Sequence, residues 1–206
     1  MPTLRWYRST APAIVVGRAQ RVDAAQADGP VLVARHSGGG AVLMDAGLLS
    51  LDVLLPAGDP LLAGDVGAVF VRVGAAWAAA LTGLGVPAVR VHDGPSTAHR
   101  LGDERQRLLA SVCYATLGRG EVLAGGRKLV GLAQRRRRPG ALVQCGLLRR
   151  WRPKPLLAGL GFPPDDAEVA AHAVGLDELV DPPLPDGTVQ AAVEAAMQAM
   201  ATQEPT

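Results

Sequence analysis

Cysteine, lysine and aromatic residues are scarce in this chain of 206 residues. The two cysteines, Cys113 and Cys145, are too few for the disulfide framework of a small secreted protein, so a reducing, cytoplasmic location is expected. Of the 21 cationic residues, only Lys128 and Lys154 are lysine. Because lysine carries a compact charge on a flexible stem and arginine carries a planar fork, each retained lysine is a candidate for a specific role.

The chain also lacks a strong net charge, a long apolar run and a recognisable metal-ligand pattern. A formal net charge of +2 gives no basic field for nucleic acid, so no nucleic-acid partner is expected. No uninterrupted apolar run reaches about 18 residues and no signal peptide pattern opens the chain, so no membrane span is expected. His36, His92, His99 and His172 lack the spacing of metal ligands, and no metal site is predicted.

Apolar patterning predicts an α+β fold with a mixed β-sheet flanked by helices and a short helical C-terminal tail. Strands are predicted at residues 4–8, 13–16, 31–35, 41–44, 48–55, 88–91, 111–116, 121–124, 128–134 and 141–148. Helices are predicted at residues 60–84, 153–160, 165–174 and 188–201, and residues 94–109 are expected to form a loop or short helix. A hydrophobic content of 49% is enough for a sizeable core.

A glycine-rich loop joins two of the predicted strands. Its residues are Arg35, His36, Ser37, Gly38, Gly39, Gly40, Ala41 and Val42. Three glycines without Cβ atoms allow a phosphate or carboxylate to approach the backbone N–H groups, and Arg35 can add a bidentate contact. The alternative for this motif alone is a flexible hairpin loop.

A second motif places Lys128 at the start of an apolar strand, directly after two glycines and Arg127. The segment reads Gly125-Gly126-Arg127-Lys128-Leu129-Val130-Gly131-Leu132-Ala133-Gln134. A strand end beside a permissive loop can direct an ammonium group into a cleft, where it can stabilise charge on an acyl carbonyl or a leaving phosphate. The alternative is a lysine that extends from the edge of a sheet into solvent.

Together, these motifs resemble the lipoate-protein ligase A and octanoyltransferase superfamily, from about residue 4 to about residue 148. The resemblance includes Leu4-Arg5-Trp6-Tyr7, Gly17-Arg18-Ala19-Gln20, the two motifs above, and Gln144-x-Gly146-x-Leu148. It implies the fold shared with biotin-protein ligases, and an enzyme that attaches a lipoyl or octanoyl group to a lysine of a lipoyl-domain protein. It also implies a catalytic domain over residues 1–152, on which a helical extension of residues 153–206 packs.

The resemblance further implies roles for individual residues. The loop from Ser37 to Val42 would lie against the acyl donor, which in ligases is an acyl-adenylate made from ATP with Mg²⁺. Lys128 would contact the acyl carbonyl, and Arg35, Arg127, Gly131 and Ala133 would help to bind the substrate or nucleotide.

Cys113, fifteen positions before Lys128, resembles the cysteine that accepts the acyl chain in the octanoyltransferase branch. A thiolate is a good nucleophile and a good leaving group, so one aminolysis becomes two easier steps. One alternative stays open: Cys113 can be a small buried hydrophobic residue. In that case a ligase mechanism would use ATP and Mg²⁺ and need no thiol.

Several residues depart from the pattern of the superfamily: Ala34, Met44, Leu48, Leu132 and Cys145. The loss of polar residues at positions 44 and 145 makes the expected pocket more apolar. A divergent member that binds an acyl group or a carrier protein without transferring it is therefore the alternative function. An accessory subunit is a further candidate partner, because the chain ends too soon for the accessory domain of many ligases.

The run Arg135-Arg136-Arg137-Arg138 falls at a predicted hairpin turn. The simplest interpretation is a solvated turn. The sharper hypothesis is a docking surface for an acidic partner, either the lipoyl domain or an acyl carrier protein.

Overall fold

The computed structural model describes residues 2–20, 29–97 and 103–202, with side chains described as far as residue 200. The strands are β1 Thr3–Tyr7, β2 Ala13–Val16, β3 Val31–Ala34, β4 Val42–Met44, β5 Leu48–Pro56, β6 Val89–Val91, β7 Val122–Ala124, β8 Arg127–Arg137 and β9 Gly140–Leu148. The α-helices are α1 Val66–Gly83, α2 Glu104–Ser111, α3 Pro153–Gly159, α4 Ala167–Ala171 and α5 Asp186–Thr202. Short 3₁₀ helices lie at Pro60–Leu62, Cys113–Ala115 and Leu176–Glu178.

The α+β class is confirmed, but the strands form two sheets where a single mixed sheet was predicted. The larger sheet has six strands in the order β1-β5-β9-β8-β7-β6, and every neighbouring pair is antiparallel. The smaller sheet, β3-β2-β4, is mixed, because β2 pairs parallel with β3 and antiparallel with β4. Helices α1 and α5 pack together and contribute to the main core beside the larger sheet.

Helix α1 begins later than predicted because Asp65 caps it. The Asp65 side chain accepts a hydrogen bond from Ala68 N at 2.7 Å, and Gly64 has a φ of +89°, so the helical pattern is interrupted after the 3₁₀ helix. By length and composition alone, α1 could cross a membrane. Its stripe of Val73, Trp77 and Leu81 is nevertheless buried in the main core, as expected of a core helix.

The strand predicted over residues 111–116 is wrong. Helix α2 runs to Ser111, and a 3₁₀ helix follows at Cys113–Ala115. Asp103 caps α2 by accepting from Gln106 N at 2.8 Å, and only an isolated bridge forms beyond its end, between Ala41 and Val112. Local capping and this tertiary contact override the apolar alternation. Residues 98–102 of the predicted loop lie outside the described residues.

The C-terminal region joins the main core of the larger sheet. Val174, Leu176, Val189, Val193 and Met197 are buried within that core. Helix α4 is shorter than predicted, because the chain is extended at Ala173 and forms a bridge beside Lys128. The division at residue 152 stays a prediction.

Candidate active site

A cavity of about 380 Å³ lies between the glycine-rich loop, strands β8 and β9, and the segment that follows α2. It brings together ten of the twelve predicted site residues: Arg35, Ser37, Gly38, Gly39, Gly40, Val42, Cys113, Lys128, Gly131 and Ala133. The other two lie outside its lining. Ala41 is fully buried beneath the loop, and Arg127 is exposed at the start of β8.

Four of the residues that depart from the superfamily pattern also line this cavity: Met44, Leu48, Leu132 and Cys145. Together with Val15, Phe70 and Leu117 they make much of its wall apolar. Such a wall suits an alkyl chain, because burial of each methylene contributes about 0.8 kcal/mol.

A tight hairpin turn positions Lys128. Gly125 and Gly126 adopt positive φ angles of 55° and 82° between β7 and β8, and Lys128 is paired with Leu123. The Lys128 side chain is 1% exposed. Its Nζ donates to Cys113 O at 2.8 Å and Thr116 O at 3.0 Å, and it forms an ion pair with Glu121 Oε2 at 2.7 Å. These three acceptors match the three N–H donors of an ammonium group.

The Cys113 sulfur lies 3.8 Å from Lys128 Nζ. Cys113 is partly exposed and lines the cavity, so a ligand there can reach the thiol. The Lys128 ammonium thus places a positive charge beside the sulfur, while its N–H groups also have acceptors at Cys113 O, Thr116 O and Glu121 Oε2. The expected contact of Lys128 with an acyl carbonyl stays a prediction.

Tyr114 forms the floor beneath the lysine. Its ring centroid lies 5.1 Å from Lys128 Nζ, which is within cation–π range, and its hydroxyl donates to Gly146 O at 2.6 Å. Burial, and then the negative charges available to Cys113 and Glu121, raise the Tyr114 pKa well above its usual value. The phenol is therefore neutral, and it supplies a π face and a hydrogen bond rather than a charge.

Glu121 is a site residue that the sequence interpretation missed. It is 4% exposed and lines the cavity, where it forms the ion pair with Lys128. The sequence pattern gave no local signal for it, because its position depends on the register shift between Val122 and Leu123.

The glycine-rich loop is fixed by its own arginine. Arg35 Nη2 donates to Gly38 O and to Gly40 O, each at 2.8 Å, so this group folds the loop. Gly17 packs so closely that a Cβ there would lie 2.0 Å from Gly39 O. Gln20 completes the attachment, because its side chain accepts from Gly17 N and donates to Ser111 O, both at 2.9 Å.

The second cysteine is chemically different from the first. Cys145 is 3% exposed within β9, and burial raises the pKa of its thiol to about 12. A thiol with that pKa stays protonated near neutral pH and is a poor nucleophile. Of the two cysteines, Cys113 is therefore the candidate nucleophile.

The arginine run lies at the turn between β8 and β9, where Arg136, Arg137 and Arg138 are exposed. Strand β8 connects it to the cavity, since Gly131, Leu132, Ala133 and Gln134 line the cavity and directly precede the run. Within the described ranges, no carboxylate forms an ion pair with these three arginines. Residues 2–20, 29–97 and 103–200 contain no group of three or more potential metal ligands, and His99 lies outside them.

Comparison with known proteins gives consistent matches. Residues 1–198 match the family model of the lipoyl protein ligase A/B catalytic domain. Octanoyltransferase LipM of Moorella thermoacetica is 34% identical over 70% of the chain, and the chain spans about half (52%) of that relative's length. Octanoyltransferase LipM of Kyrpidia tusciae is 31% identical, over 93% of the chain and 73% of the relative.

Among solved structures, the bipartite lipoate protein ligase of Thermoplasma acidophilum matches with a TM-score of 0.70 at 22% identity. The match covers 97% of the chain and 71% of the ligase chain. At that identity the likeness concerns the fold.

Proposed function

The chain belongs to the lipoyl protein ligase A/B catalytic-domain family, and we propose that it transfers an octanoyl or lipoyl group to a lysine of a lipoyl-domain protein through a thioester on Cys113. The observation that carries the proposal is the 3.8 Å separation of Cys113 Sγ and Lys128 Nζ at the wall of a largely apolar cavity. The LipM relatives, which are octanoyltransferases by name, support the choice of an octanoyl donor.

The reaction has two steps. In the first, the Cys113 thiolate attacks the carbonyl carbon of a donor thioester. The new bond to Sγ forms, the bond to the donor sulfur breaks, and the donor leaves as a thiolate that takes a proton from water. In the second, the neutral amine of the acceptor lysine attacks the Cys113 thioester. The amide C–N bond forms, the C–Sγ bond breaks, and the surplus proton of the nitrogen passes to the released sulfur or to water.

Lys128 stabilises the thiolate in both steps. A cation near a thiol favours the ionised form, which is both the attacking group of the first step and the leaving group of the second. The lysine needs no free N–H for this role, because the charge acts across 3.8 Å within a buried site.

The glycine-rich loop faces the reacting carbonyl in this proposal. Gly38, Gly39 and Gly40 line the cavity without side chains, and Gly40 packs directly against the backbone of Val112 and Cys113. Backbone N–H groups in such a loop can stabilise the oxyanion that develops on the acyl oxygen.

The donor atoms of the cavity do not fit Mg²⁺ with ATP. Magnesium in nucleotide sites is usually held by one or two carboxylates together with phosphate oxygens. Glu121 supplies the only carboxylate among the lining residues that the structure describes, and both of its oxygens are engaged by Lys128 and backbone N–H groups. The lining therefore favours a thioester donor over an acyl-adenylate, and ATP-dependent ligase activity is the competing outcome of the lipoyl-domain assay.

An acidic partner would dock beside the cavity. We assign this contact to Arg136, Arg137 and Arg138, whose exposed guanidinium groups lie at the end of the strand that lines the cavity. Guanidinium groups suit the carboxylates of an acidic lipoyl domain and the carboxylates and phosphodiester of an acyl carrier protein.

The test is the intact mass of an unmodified lipoyl domain after incubation with the protein. One tube contains octanoyl-carrier protein, and the other contains lipoate, ATP and Mg²⁺. We expect an octanoyl mass increase in the first tube, its loss with Cys113→Ser, and its retention with Cys145→Ser as the matched control. A lipoyl increase in the second tube that survives Cys113→Ser would replace the proposal with a ligase mechanism. No increase in either tube would favour the alternative of an acyl or carrier-protein binder.

A further inference from the structure

Glu121 makes more contacts than an ion pair requires. Oε2 accepts from Gly118 N at 2.7 Å as well as pairing with Lys128 Nζ, and Oε1 accepts from Leu132 N at 3.1 Å. The carboxylate therefore joins the loop before β7, the middle of β8 and the buried ammonium group. Charge-assisted hydrogen bonds of this kind are stronger and more directional than those between neutral groups.

The sheet geometry explains why a side chain occupies this position. The register of β7 and β8 shifts between Val122 and Leu123, so Val122 is opposite Val130 rather than Leu129. Strand β7 begins at Val122, and the Leu132 N–H lies beyond its last pair. The Glu121 carboxylate accepts that N–H in place of a strand carbonyl.

The buried Lys128 ammonium group needs the Glu121 carboxylate as its counter-charge. Lys128 and Glu121 are 1% and 4% exposed, so water solvates neither charge well. A buried ammonium without its counter-charge either loses its proton or moves toward solvent. Each outcome would remove the cation from its place 3.8 Å from Cys113 Sγ.

We propose that Glu121 is a positioning residue for the transfer reaction, which holds the Lys128 ammonium in place beside the Cys113 sulfur. The inference rests on the proposed function for its catalytic meaning. The inference states that Lys128, held in place by Glu121, makes the Cys113 thiol more reactive. That reactivity can be measured without any acyl substrate.

The experiment is the rate of alkylation of Cys113 by iodoacetamide, followed by intact mass from pH 6 to 10. The described titratable groups in contact with this thiol or with each other are Lys128, Glu121 and Tyr114. The same cavity is also lined by Tyr7, Arg35 and Cys145. In Glu121→Gln, the amide oxygen can still accept from Leu132 N, but the amide nitrogen cannot accept from Lys128. We expect alkylation at pH 7.5 to slow about tenfold, because the Lys128 ammonium is no longer held beside the sulfur.

Glu178→Gln is the matched control. The Glu178 carboxylate also accepts from two backbone N–H groups, those of Gly175 at 2.9 Å and Trp151 at 3.3 Å, but it forms no ion pair in the described chain. Its substitution should leave the alkylation of Cys113 unchanged. Equal slowing in both variants would mean that Glu121 acts only as a structural acceptor, which overturns the inference.

A double-mutant cycle separates positioning from general damage to the fold. In a Lys128→Met background, Glu121→Gln should cause no further slowing, because Glu121 acts through the lysine. Additive slowing would overturn the inference, as would an unchanged rate in Glu121→Gln alone. If Glu121→Gln does not fold, Glu121→Asp keeps the charge but is shorter by one methylene. It should then slow alkylation partially, and an unchanged rate would count against the inference.

Alkylation of Cys113 needs neither an acyl donor nor a lipoyl-domain acceptor. It therefore separates failure of the positioning role from failure of the proposed function. A normal effect of Glu121→Gln with no acyl transfer would leave the positioning intact and reject the proposed function. Acyl transfer that depends on Cys113 but not on Glu121 would support the proposed function and reject the positioning role of Glu121.

Discussion

Gly131 and Gly146 are paired across β8 and β9, and Tyr114 occupies the space above them that two side chains would otherwise fill. A Cβ on Gly146 would lie 2.8 Å from the Tyr114 hydroxyl, and one on Gly131 would lie 3.3 Å from the same atom. The pair thus lets the Tyr114 ring lie close to the sheet and under the Lys128 ammonium. Gly131, which was expected to bind substrate, has this packing role in addition to lining the cavity.

The first prediction concerns this pair. Gly146→Ala should displace Tyr114 and break its hydrogen bond to Gly146 O, which lowers the free energy of unfolding by about 1–3 kcal/mol. Gly131→Ala should cost less, because its nearest contacts are only slightly tight. Thermal unfolding measures both effects. Equal stability of Gly146→Ala and the wild type would contradict the packing assigned to Tyr114.

The glycine-rich loop offers a second comparison, between two neighbouring positions. A Cβ on Gly40 would lie 2.6 Å from Cys113 N and 2.7 Å from Val112 C, whereas a Cβ on Gly38 would meet nothing within 4 Å. Gly40→Ala should therefore push the loop away from Cys113, cost about 1–3 kcal/mol and greatly reduce transfer. Gly38→Ala should leave the stability unchanged. Chemical unfolding and the lipoyl-domain assay measure the two effects, and similar behaviour of both variants would refute the close approach.

The two thiols should react very differently. Because the folded pKa of Cys145 is about 12, above its ordinary value of 9.0, this thiol stays protonated at pH 8 and is also inaccessible. Iodoacetamide at pH 8 should label one cysteine in the native protein and both in denaturant. The raised pKa also means that the folded state binds more protons between pH 9 and 12, so this group destabilises the fold as pH rises through that window. Labelling of both thiols in the native state would contradict the burial of Cys145.

The link between α2 and α4 has a predicted pH dependence. The Arg105 guanidinium group, which pairs with Asp166 and Glu168, lowers the pKa of Asp166 from 3.8 to about 2. A lowered carboxyl pKa contributes stability that is present above pH 4 and is lost as pH falls through about 2. Asp166→Asn should therefore lower the melting temperature at pH 6.5 and have little effect at pH 2. Asp165→Asn, which removes an exposed pair with Lys154, is the control and should change the melting temperature very little.

The arginine run supplies the final prediction. Replacement of Arg136, Arg137 and Arg138 by Gln should raise the KM for the acidic partner about tenfold and leave kcat unchanged, because docking charges act on encounter. The KM of the variant should also depend less on salt. Arg90→Gln, at an exposed position on β6, is the control. An unchanged KM in the triple variant would mean that these arginines only solvate a turn.

The strands and the long helix were largely predictable because their signals are local. The stripe of α1 and the strands β1, β2, β5 and β9 lie close to their predicted bounds. The segment around Cys113 was not predictable, because the cap at Asp103 and the bridge between Ala41 and Val112 decide its conformation. The separation into two sheets also depends on contacts between distant segments.

The candidate site was predicted as a set of residues but not as a set of contacts. The resemblance to the superfamily identified Cys113 and Lys128, yet Glu121 and Tyr114 were missed. Their importance depends on a strand irregularity and on two glycines that are distant in sequence. The expected contact of Arg35 with a ligand stays a prediction, while its Nη2 group also folds the loop, because two carbonyls of that loop lie within reach.

The backbone of Lys128 also has a consequence for biosynthesis. Its N–H donates to His172 O at 2.9 Å, and its carbonyl accepts from Val174 N at 3.0 Å. A nascent chain therefore cannot complete the surroundings of the lysine until residue 174 has left the ribosome, well after the whole larger sheet has been translated. A chain released early would carry every cavity residue and still lack one wall of the lysine's support.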